Sequence, residues 1–241
     1  MHATEALETT SAPLVRRLQM RQLRLLRFDV HEPGDATRAD VEHYIQQRFA
    51  GSHDARVSHF LPHLLSLGNG GRPCAAVGLA EASRGPLFAE SYLAAPIEQL
   101  IAQSRGEPVH RAEILEIGNL VSSWKGGSLM MFVFLSELID RLGIRFVAFT
   151  ATREVDRLLA RLGYEPVVLA AANPALLADA GASWGRYYSH QPRVMFGEVR
   201  PAVQAARTLM FYRVVARTLA AQVDRVCAAW PQPLTVRDNL S

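Results

Sequence analysis

Residues 114–143 read ILEIGNLVSSWKGGSLMMFVFLSELIDRLG, and this stretch decides the fold class. Residues 114–121 are apolar at most positions on both alternating faces, which predicts a strand inside a sheet. Residues 122–128 follow as a polar loop that contains two glycines. Residues 129–142 carry one narrow polar stripe and predict a helix that Gly143 ends.

The segment after Gly143 continues the alternation of strands and helices. Residues 146–151 predict a strand, residues 153–162 predict a helix with Gly163 as its left-handed cap, and residues 167–170 predict a further strand. Two strands joined through a helix usually lie parallel in one sheet. The pattern therefore predicts a βαβα unit with a parallel pair of strands, in an α/β (α+β) domain.

Shorter patterns predict the elements on either side of this unit. Upstream they are a strand through Leu23, Leu25, Phe28 and Val30, a helix from Thr37 to Phe49, apolar turns over 56–67, a strand from Cys74 to Ala82, a returning strand from Leu87 to Leu93, and a helix from Pro96 to about Gln103. Downstream, residues 202–230 predict a helix that docks on a partner subunit or on the domain's own flank. The side predicted to dock comprises Val203, Ala206, Leu209, Met210, Arg213, Val214, Arg217 and Ala221.

Composition excludes several classes of protein. The chain has 241 residues, of which 49% are apolar and 20% are charged, as in an ordinary globular domain. Two cysteines give no disulfide framework, and a net charge of +3 is too small for a nucleic-acid coat. We find no signal peptide and no apolar run near the ~20 residues of a membrane span, so we expect a cytoplasmic protein. The predicted organisation is a flexible tail (1–20), a central domain (21–200) and a helical C-terminal extension (201–241).

The glycine loop at 122–128 is the strongest chemical signal. A helix start presents unpaired backbone N–H groups and a positive dipole end, and glycine lets a phosphate approach that backbone closely. The loop therefore predicts an anion site, although a tight strand-to-helix turn would show the same residues. The Walker spacing and the dinucleotide G-x-G-x-x-G pattern are both absent.

Glu116 is the second signal. Its strand neighbours Ile114, Leu115, Ile117 and Leu120 are apolar, so burial should raise the pKa of its carboxyl group toward the range of a general base. The alternative is a structural carboxylate paired with an arginine. A third segment, 184–188, combines aromatic rings with an arginine and either walls a pocket or packs over the sheet.

No metal site is predicted. His59 and His63 have the spacing of zinc ligands on a helix, but Pro62 lies between them and no H-E-x-x-H motif is present.

Several segments together resemble the bacterial thermostable hemolysin family, and the resemblance covers roughly residues 24–200. The segments are Tyr44-Ile45 through Arg48-Phe49, His59-Phe60-Leu61-Pro62, Ala76-Val77-Gly78-Leu79, Pro86-Leu87-Phe88, Glu90-Ser91-Tyr92-Leu93, Pro96-Ile97-Glu98, Glu116-Ile117-Gly118-Asn119-Leu120 and Trp184-Gly185-Arg186-Tyr187-Tyr188. That family is related to the acyltransferase-like (GNAT) fold and its autoinducer-synthase branch. The resemblance implies a mixed central sheet with helices on both faces.

The resemblance also implies a function in acyl transfer. The donor would be acyl-CoA, an acyl-carrier protein or an acyl-adenylate, used as a co-substrate with no tightly bound cofactor, and the acceptor would be a small amine or similar molecule. Glu116 would be the base, and Asn119 with backbone N–H groups near Val121 would hold the thioester carbonyl. Carrier phosphates would contact Val121, Ser122, Ser123, Trp124, Lys125, Gly126, Gly127 and Ser128, and the acceptor would contact Glu90, Tyr92, Trp184 and Tyr187.

The sequence departs from the usual pattern of that fold at three places. Ser123 and Ser128 stand where the loop normally has Arg/Gln and Gly/Ala, and Leu159 stands where a general-acid tyrosine is usual. Thr152 stands where the fold usually has an asparagine. Two alternatives therefore stay open, a membrane-active hemolysin and a non-catalytic acyl-carrier binding module. A homodimer is a further expectation.

Overall fold

Seven strands form one mixed sheet in the computed structural model, which describes residues 26–69, 72–161 and 163–231. The strands are β1 (Arg27–His31), β2 (His63–Asn69), β3 (Arg72–Glu81), β4 (Ile114–Ser122), β5 (Phe146–Ala151), β6 (Val167–Ala171) and β7 (Arg193–Glu198). Their order across the sheet is β1-β2-β3-β4-β5-β7-β6. The pair β4–β5 is parallel and the other neighbouring pairs are antiparallel, so the predicted parallel pair is confirmed.

Helices cover both faces of this sheet. They are α1 (Arg38–His53), α2 (Ile97–Arg105), α3 (Lys125–Arg141), α4 (Arg153–Arg161), α5 (Val199–Arg207) and α6 (Met210–Ala229). Alternate strand residues face opposite layers, because a strand has a side-chain period of two. Leu65 and Val77 pack with α3 and α6, whereas Leu64 and Ala76 pack with α1 on the other side.

Most of the βαβα unit has the predicted bounds. Strand β5 covers the predicted residues, and Gly163 has the positive φ (+80°) of a left-handed cap after α4. Helix α3 starts earlier than predicted, at Lys125, with Trp124 as an extended N-cap residue. Its first turn closes through the Gly127 N–H, which donates to the Trp124 carbonyl at 2.9 Å. The predicted loop is therefore shorter, and residues 125–128 belong to the helix.

The predicted β-hairpin over residues 74–93 is wrong. Residues 88–92 form a 3₁₀ turn, because the Glu90 carboxylate accepts the Leu87 N–H and the Phe88 and Ala89 N–H groups bond to Glu116. The hairpin partner of β3 is β2, which starts within the stretch predicted as turns (56–67) and ends at Asn69. Strand β2 is buried on both faces over residues 63–67, so its sequence shows no alternation to read.

The first predicted strand and the first helix are close to their predicted places. Strand β1 covers Arg27–His31, while Leu23 and Leu25 lie outside the described residues. Thr37 occupies the N-cap position of α1 without a side-chain capping bond, because its hydroxyl lies 2.9 Å from the ring Nδ1 of His31.

The C-terminal segment is two helices rather than one, with a break at residues 208–209. Of the two predicted docking places, a partner subunit or the domain's own flank, the structure shows the second, since α6 packs against α3 and β1. The predicted face is wrong beyond the break, because the break resets the helical register and Met210 is 75% exposed. The buried side of α6 and the residue after it comprise Tyr212, Val215, Leu219, Val223, Val226 and Trp230.

Helix α6 also binds β1, which is the edge strand of the sheet in the described part of the chain. The Gln222 side chain accepts the Phe28 N–H at 3.1 Å and donates to the Leu26 carbonyl at 2.9 Å. The Trp230 indole N–H donates to the buried carboxylate of Glu81 at 3.0 Å. The predicted tail 1–20 and residues 232–241 lie outside the described residues, and the division of the chain into domains stays a prediction.

Candidate functional site

A cavity of about 830 Å³ lies where β4 and β5 separate. The parallel pairing of these strands ends at Ile117 and Phe149, so the strand ends beyond this point leave a gap in the sheet. Side chains from both faces of the sheet line the cavity, including His59 and Trp184 on one face and Leu135 of α3 on the other. The cavity therefore passes through the sheet at the gap.

Glu116 lines this cavity and is only 3% exposed. Its two carboxylate oxygens accept the backbone N–H groups of Phe88 and Ala89, both at 2.8 Å. Burial raises the pKa of Glu116 to about 7, against the lowering effect of these two hydrogen bonds. The arrangement differs from an arginine pair, and the raised pKa is that of a group able to exchange protons near neutral pH.

The raised pKa predicts a pH dependence of stability. Because Glu116 binds its proton more tightly when folded, its contribution to stability is full below about pH 4.5 and is lost as the pH rises to about 7. Over this window the free energy of unfolding of wild type should fall by roughly 1–3 kcal/mol relative to Glu116→Gln. Urea unfolding of both proteins at several pH values measures this difference. A constant difference across the window would contradict the raised pKa.

Asn119 lies on the same strand and has a left-handed backbone (φ +50°) at an irregularity in the β3–β4 register. Its side-chain Oδ1 accepts the Leu61 N–H at 3.0 Å, and its Nδ2 donates to the His59 carbonyl at 3.2 Å. The amide thus fixes the 59–61 segment, which forms part of the cavity wall. Since an amide NH₂ has two donors, one N–H remains for the predicted contact with a thioester carbonyl.

Aromatic rings wall the cavity on the Glu116 face. Tyr92, Trp184 and Tyr187 line it, and their contact with an acceptor stays a prediction. The Trp184 ring lies 5.7 Å from Phe88 and 5.4 Å from Tyr187, and the Tyr92 hydroxyl lies 2.6 Å from the Tyr188 hydroxyl. The segment 184–188 therefore packs against neighbouring rings and also walls the cavity, so both interpretations of its sequence apply.

Backbone hydrogen bonds hold this aromatic segment on the end of α1. The Arg186 N–H donates to the His53 carbonyl at 2.7 Å, and the Arg56 N–H donates to the Ser183 carbonyl at 2.6 Å. Gly185 has φ +53°, and a Cβ there would collide with the His53 carbonyl. Only glycine fits this close approach without strain.

Glu90 is not brought into the cavity. Its carboxylate accepts the Leu87 and Ile97 N–H groups and both terminal nitrogens of Arg111. Although burial favours its neutral form, Arg111 and these N–H groups lower the pKa of Glu90 to about 2. The prediction that Glu90 binds substrate is corrected accordingly, because its oxygens are occupied by the polypeptide itself.

A smaller depression of about 390 Å³ lies at the start of α3. Val121, Ser122 and Ser128 line it together with Arg48 of α1, whose guanidinium donates to the Ser122 carbonyl at 3.0 Å. Phe49, His53 and Leu120 line both this depression and the larger cavity, so the two are adjacent.

The other residues of the predicted phosphate loop have different surroundings. The Ser123 hydroxyl donates to the Cys74 carbonyl at 3.1 Å, and Trp124 packs against the core. A Cβ on Gly127 would lie 2.7 Å from the Ser122 hydroxyl. The side chain of Lys125 and the surroundings of Gly126 are not among the described features.

The sequence analysis gave no role in this site to three residues. His53 and His59 line the cavity, and burial lowers the pKa of both rings, although His59 was weighed only as a zinc ligand. Arg48 was quoted only as part of a family segment. The signal that joins these residues to Glu116 is spatial, and no short spacing in the sequence carries it. In the described ranges, no group of three or more metal-ligating side chains and no helix able to cross a membrane is found.

The family model of the thermostable hemolysins matches residues 31–203. The chain belongs to the thermostable hemolysin family. No curated protein matches this family member at a significant level. The match confirms the resemblance read from the sequence segments.

Solved structures show which fold this member of the thermostable hemolysin family has. It resembles BjaI, a CoA-dependent acyl-homoserine lactone synthase solved with MTA, at 13% identity and a TM-score of 0.53, over 79% of this chain and 90% of that one. It also resembles TofI in a ternary complex with an inhibitor and MTA, at 17% identity and a TM-score of 0.52, over 76% of this chain and 97% of that one. FeeM, an N-acyl amino acid synthase from uncultured soil microbes, is similar at 9% identity and a TM-score of 0.50, over 76% of this chain and 99% of that one. The predicted acyltransferase-like fold is confirmed.

Proposed function

We propose that the chain is an acyltransferase that moves an acyl group from a carrier to a small amine or similar acceptor. The observation that carries the proposal is Glu116, a buried carboxylate with a pKa of about 7 that lines a cavity at the gap between parallel strands. The names of BjaI and FeeM, a lactone synthase and an N-acyl amino acid synthase, support acyl transfer as the reaction class.

In the proposed reaction, Glu116 accepts a proton from the acceptor amine, directly or through one water. The amine nitrogen attacks the thioester carbonyl, and the charge that develops on oxygen is stabilised by the free Asn119 N–H and backbone N–H groups near Val121. Collapse forms the amide and breaks the C–S bond of a thioester donor, or the acyl C–O bond to phosphate of an acyl-adenylate. The proton held by Glu116 goes to the leaving thiolate or to the leaving phosphate group, which restores the carboxylate for the next cycle.

The donor's phosphate groups are proposed to bind at the start of α3. The N-terminus of a helix attracts anions through its free N–H groups and its dipole. Arg48 adds a guanidinium beside Ser122 and Ser128. Acyl-CoA, an acyl-carrier protein and an acyl-adenylate all carry phosphate, so this site suits each of the three proposed donors.

Replacing Gly127 with Val should weaken donor binding by about 10–100-fold, the loss expected for one or two hydrogen bonds to a charged group. A Cβ at this position meets the Ser122 hydroxyl at 2.7 Å and the Trp124 ring at 3.2 Å, so the helix start must shift. Calorimetric titration with the three donor types measures the change. Gly51→Val is the matched control, because Gly51 lies in α1 with no atom within 4 Å of its added Cβ. Equal donor affinity in both variants would show that the donor does not bind at the start of α3.

Thiol release is the direct test of the proposed function. The purified protein is incubated with acyl-CoA and acyl-carrier donors and a pool of small amines, and free thiol and N-acyl product are measured together. We expect product in the wild type and a large loss in Glu116→Gln. Donor binding without turnover would support the carrier-binding alternative, and the absence of both would overturn the proposal.

The membrane-active alternative needs an apolar surface for lipid. The apolar side of α6 is already buried against α3 and the sheet, which argues against its use on a membrane. Release of haemoglobin from red cells, measured at protein concentrations that give turnover, separates the two activities. The cytoplasmic location, an acyl-carrier partner and a homodimer remain proposals.

A further inference from the structure

The part of the cavity on the α3 face is a mainly apolar chamber. Its walls come from α3, α4 and α5 and from β5, on the opposite side of the sheet from Glu116. The apolar side chains of these walls include Leu135, Ile139, Val155, Leu159 and Val203.

Tyr164 forms a bar across this chamber. Its backbone N–H donates to the Leu159 carbonyl at the end of α4 (3.0 Å), and its hydroxyl lies 2.9 Å from the Ser136 hydroxyl on α3. Its ring packs edge-on against Phe132 with 4.9 Å between centroids. The side chain therefore extends from the end of one lining helix to another, and both of its ends are held.

The hydroxyl protons of Tyr164 and Ser136 determine which end of a ligand can pack against them. Ser136 uses its one hydroxyl proton on the Phe132 carbonyl at 2.9 Å, so Tyr164 must donate its own proton to Ser136. Neither hydroxyl has a proton left for a ligand carbonyl or carboxylate. A hydrocarbon end loses nothing against these two hydroxyls, whereas a terminal carboxylate would be desolvated beside them without receiving a proton from either.

We infer that Tyr164 sets the acyl-chain length of this site, and that the acyl group is a methyl-ended fatty chain whose last carbons rest against the Tyr164 ring. The inference rests on the proposed function for the reactive end of the chain at Glu116. It adds the substrate class and the residue that measures it.

Binding of straight-chain saturated fatty acids to the full chain tests this inference without any turnover. The series runs from about four to sixteen carbons, measured by displacement of a fluorescent fatty acid. In the wild type, affinity should rise about fourfold per methylene up to one optimal length and then stop rising. Dicarboxylic acids of the same length should bind at least tenfold more weakly than the monocarboxylic ones.

Tyr164→Ala opens the bar and should move the optimum to chains longer by two or more methylenes. Tyr164→Phe keeps the ring and should keep the optimum, which separates a steric wall from recognition by the hydroxyl. If Tyr164→Ala does not fold, Tyr164→Leu shortens the bar while keeping an apolar side chain. The same optimum in wild type and in the shortened variants would overturn the inference.

The outcomes also separate this inference from the proposed function. A shifted optimum in a protein that shows no acyl transfer would leave the chain-length wall standing and remove the reaction. If the protein transfers acyl groups but Tyr164→Ala leaves the optimal chain length unchanged, the proposed function stands and the role of Tyr164 is removed. A wild type that binds no fatty acid of any length would overturn the inference whatever its turnover.

Discussion

Glu116→Gln is expected to lower the rate of acyl transfer by about 10²–10⁴-fold, the usual cost of removing a general base. The glutamine side chain has the same shape, and its oxygen still accepts one of the two N–H groups that now bond to Glu116. It has no site for the acceptor's proton, so the chemical step suffers more than the fold. In the wild type, kcat/KM should rise with pH through about 7, as the carboxyl group loses its proton.

Initial rates of thiol release from pH 5 to 9 measure this effect. Glu81→Gln is the matched control, because Glu81 is also buried (8% exposed) but bonds to Trp230 outside the cavity. Wild-type turnover in Glu116→Gln over the whole range would make Glu116 structural and the proposed mechanism wrong. Circular dichroism of both variants checks that the fold is retained.

Leu219→Ala is expected to reduce the free energy of unfolding by about 2–5 kcal/mol, the range for a large apolar residue cut to alanine in a core. Leu219 is 0% exposed and belongs to the cluster that joins α6 to α3 and the sheet. Met210→Ala on the same helix should change stability by less than about 0.5 kcal/mol, because Met210 is 75% exposed.

Urea unfolding of the two variants and the wild type gives these values. Similar losses in both would mean that α6 does not bury the side seen here. Full stability of Leu219→Ala together with binding to anionic vesicles would favour the membrane-active alternative. The prediction is independent of the acyl-transfer assay, so it tests the fold even if no substrate is found.

The βαβα unit could be predicted because the local sequence of each of its elements is enough to indicate that element. Strand β5 and the cap at Gly163 follow from local apolar runs and one backbone conformation. Strand β2 could not be predicted in this way, since a strand buried on both faces shows no alternation. The 3₁₀ turn at 88–92 was hidden for another reason: its N–H groups bond to Glu116, a residue from a distant part of the chain.

The residues of the candidate site also divide into those that local sequence indicates and those whose role depends on distant contacts. Glu116 was found because a carboxylate among apolar neighbours is unusual within one strand. Arg48, His53 and Tyr164 were missed because their importance comes from what the fold places beside them. Glu90 was misassigned because nothing near it in sequence shows that Arg111 will occupy its oxygens.

The contact between α6 and the first strand has a kinetic consequence. Gln222 bonds to Phe28 and Leu26 across 194 and 196 residues of chain, and Trp230 bonds to Glu81 across 149. Contacts of such large sequence separation are slow to form, because the chain must first pay the entropy of closing a long loop. During synthesis, strand β1 must therefore wait for the ribosome to release α6 before its edge is covered. Until then its backbone is open to pairing with other chains, so synthesis rate and chaperone supply should govern the yield of folded protein.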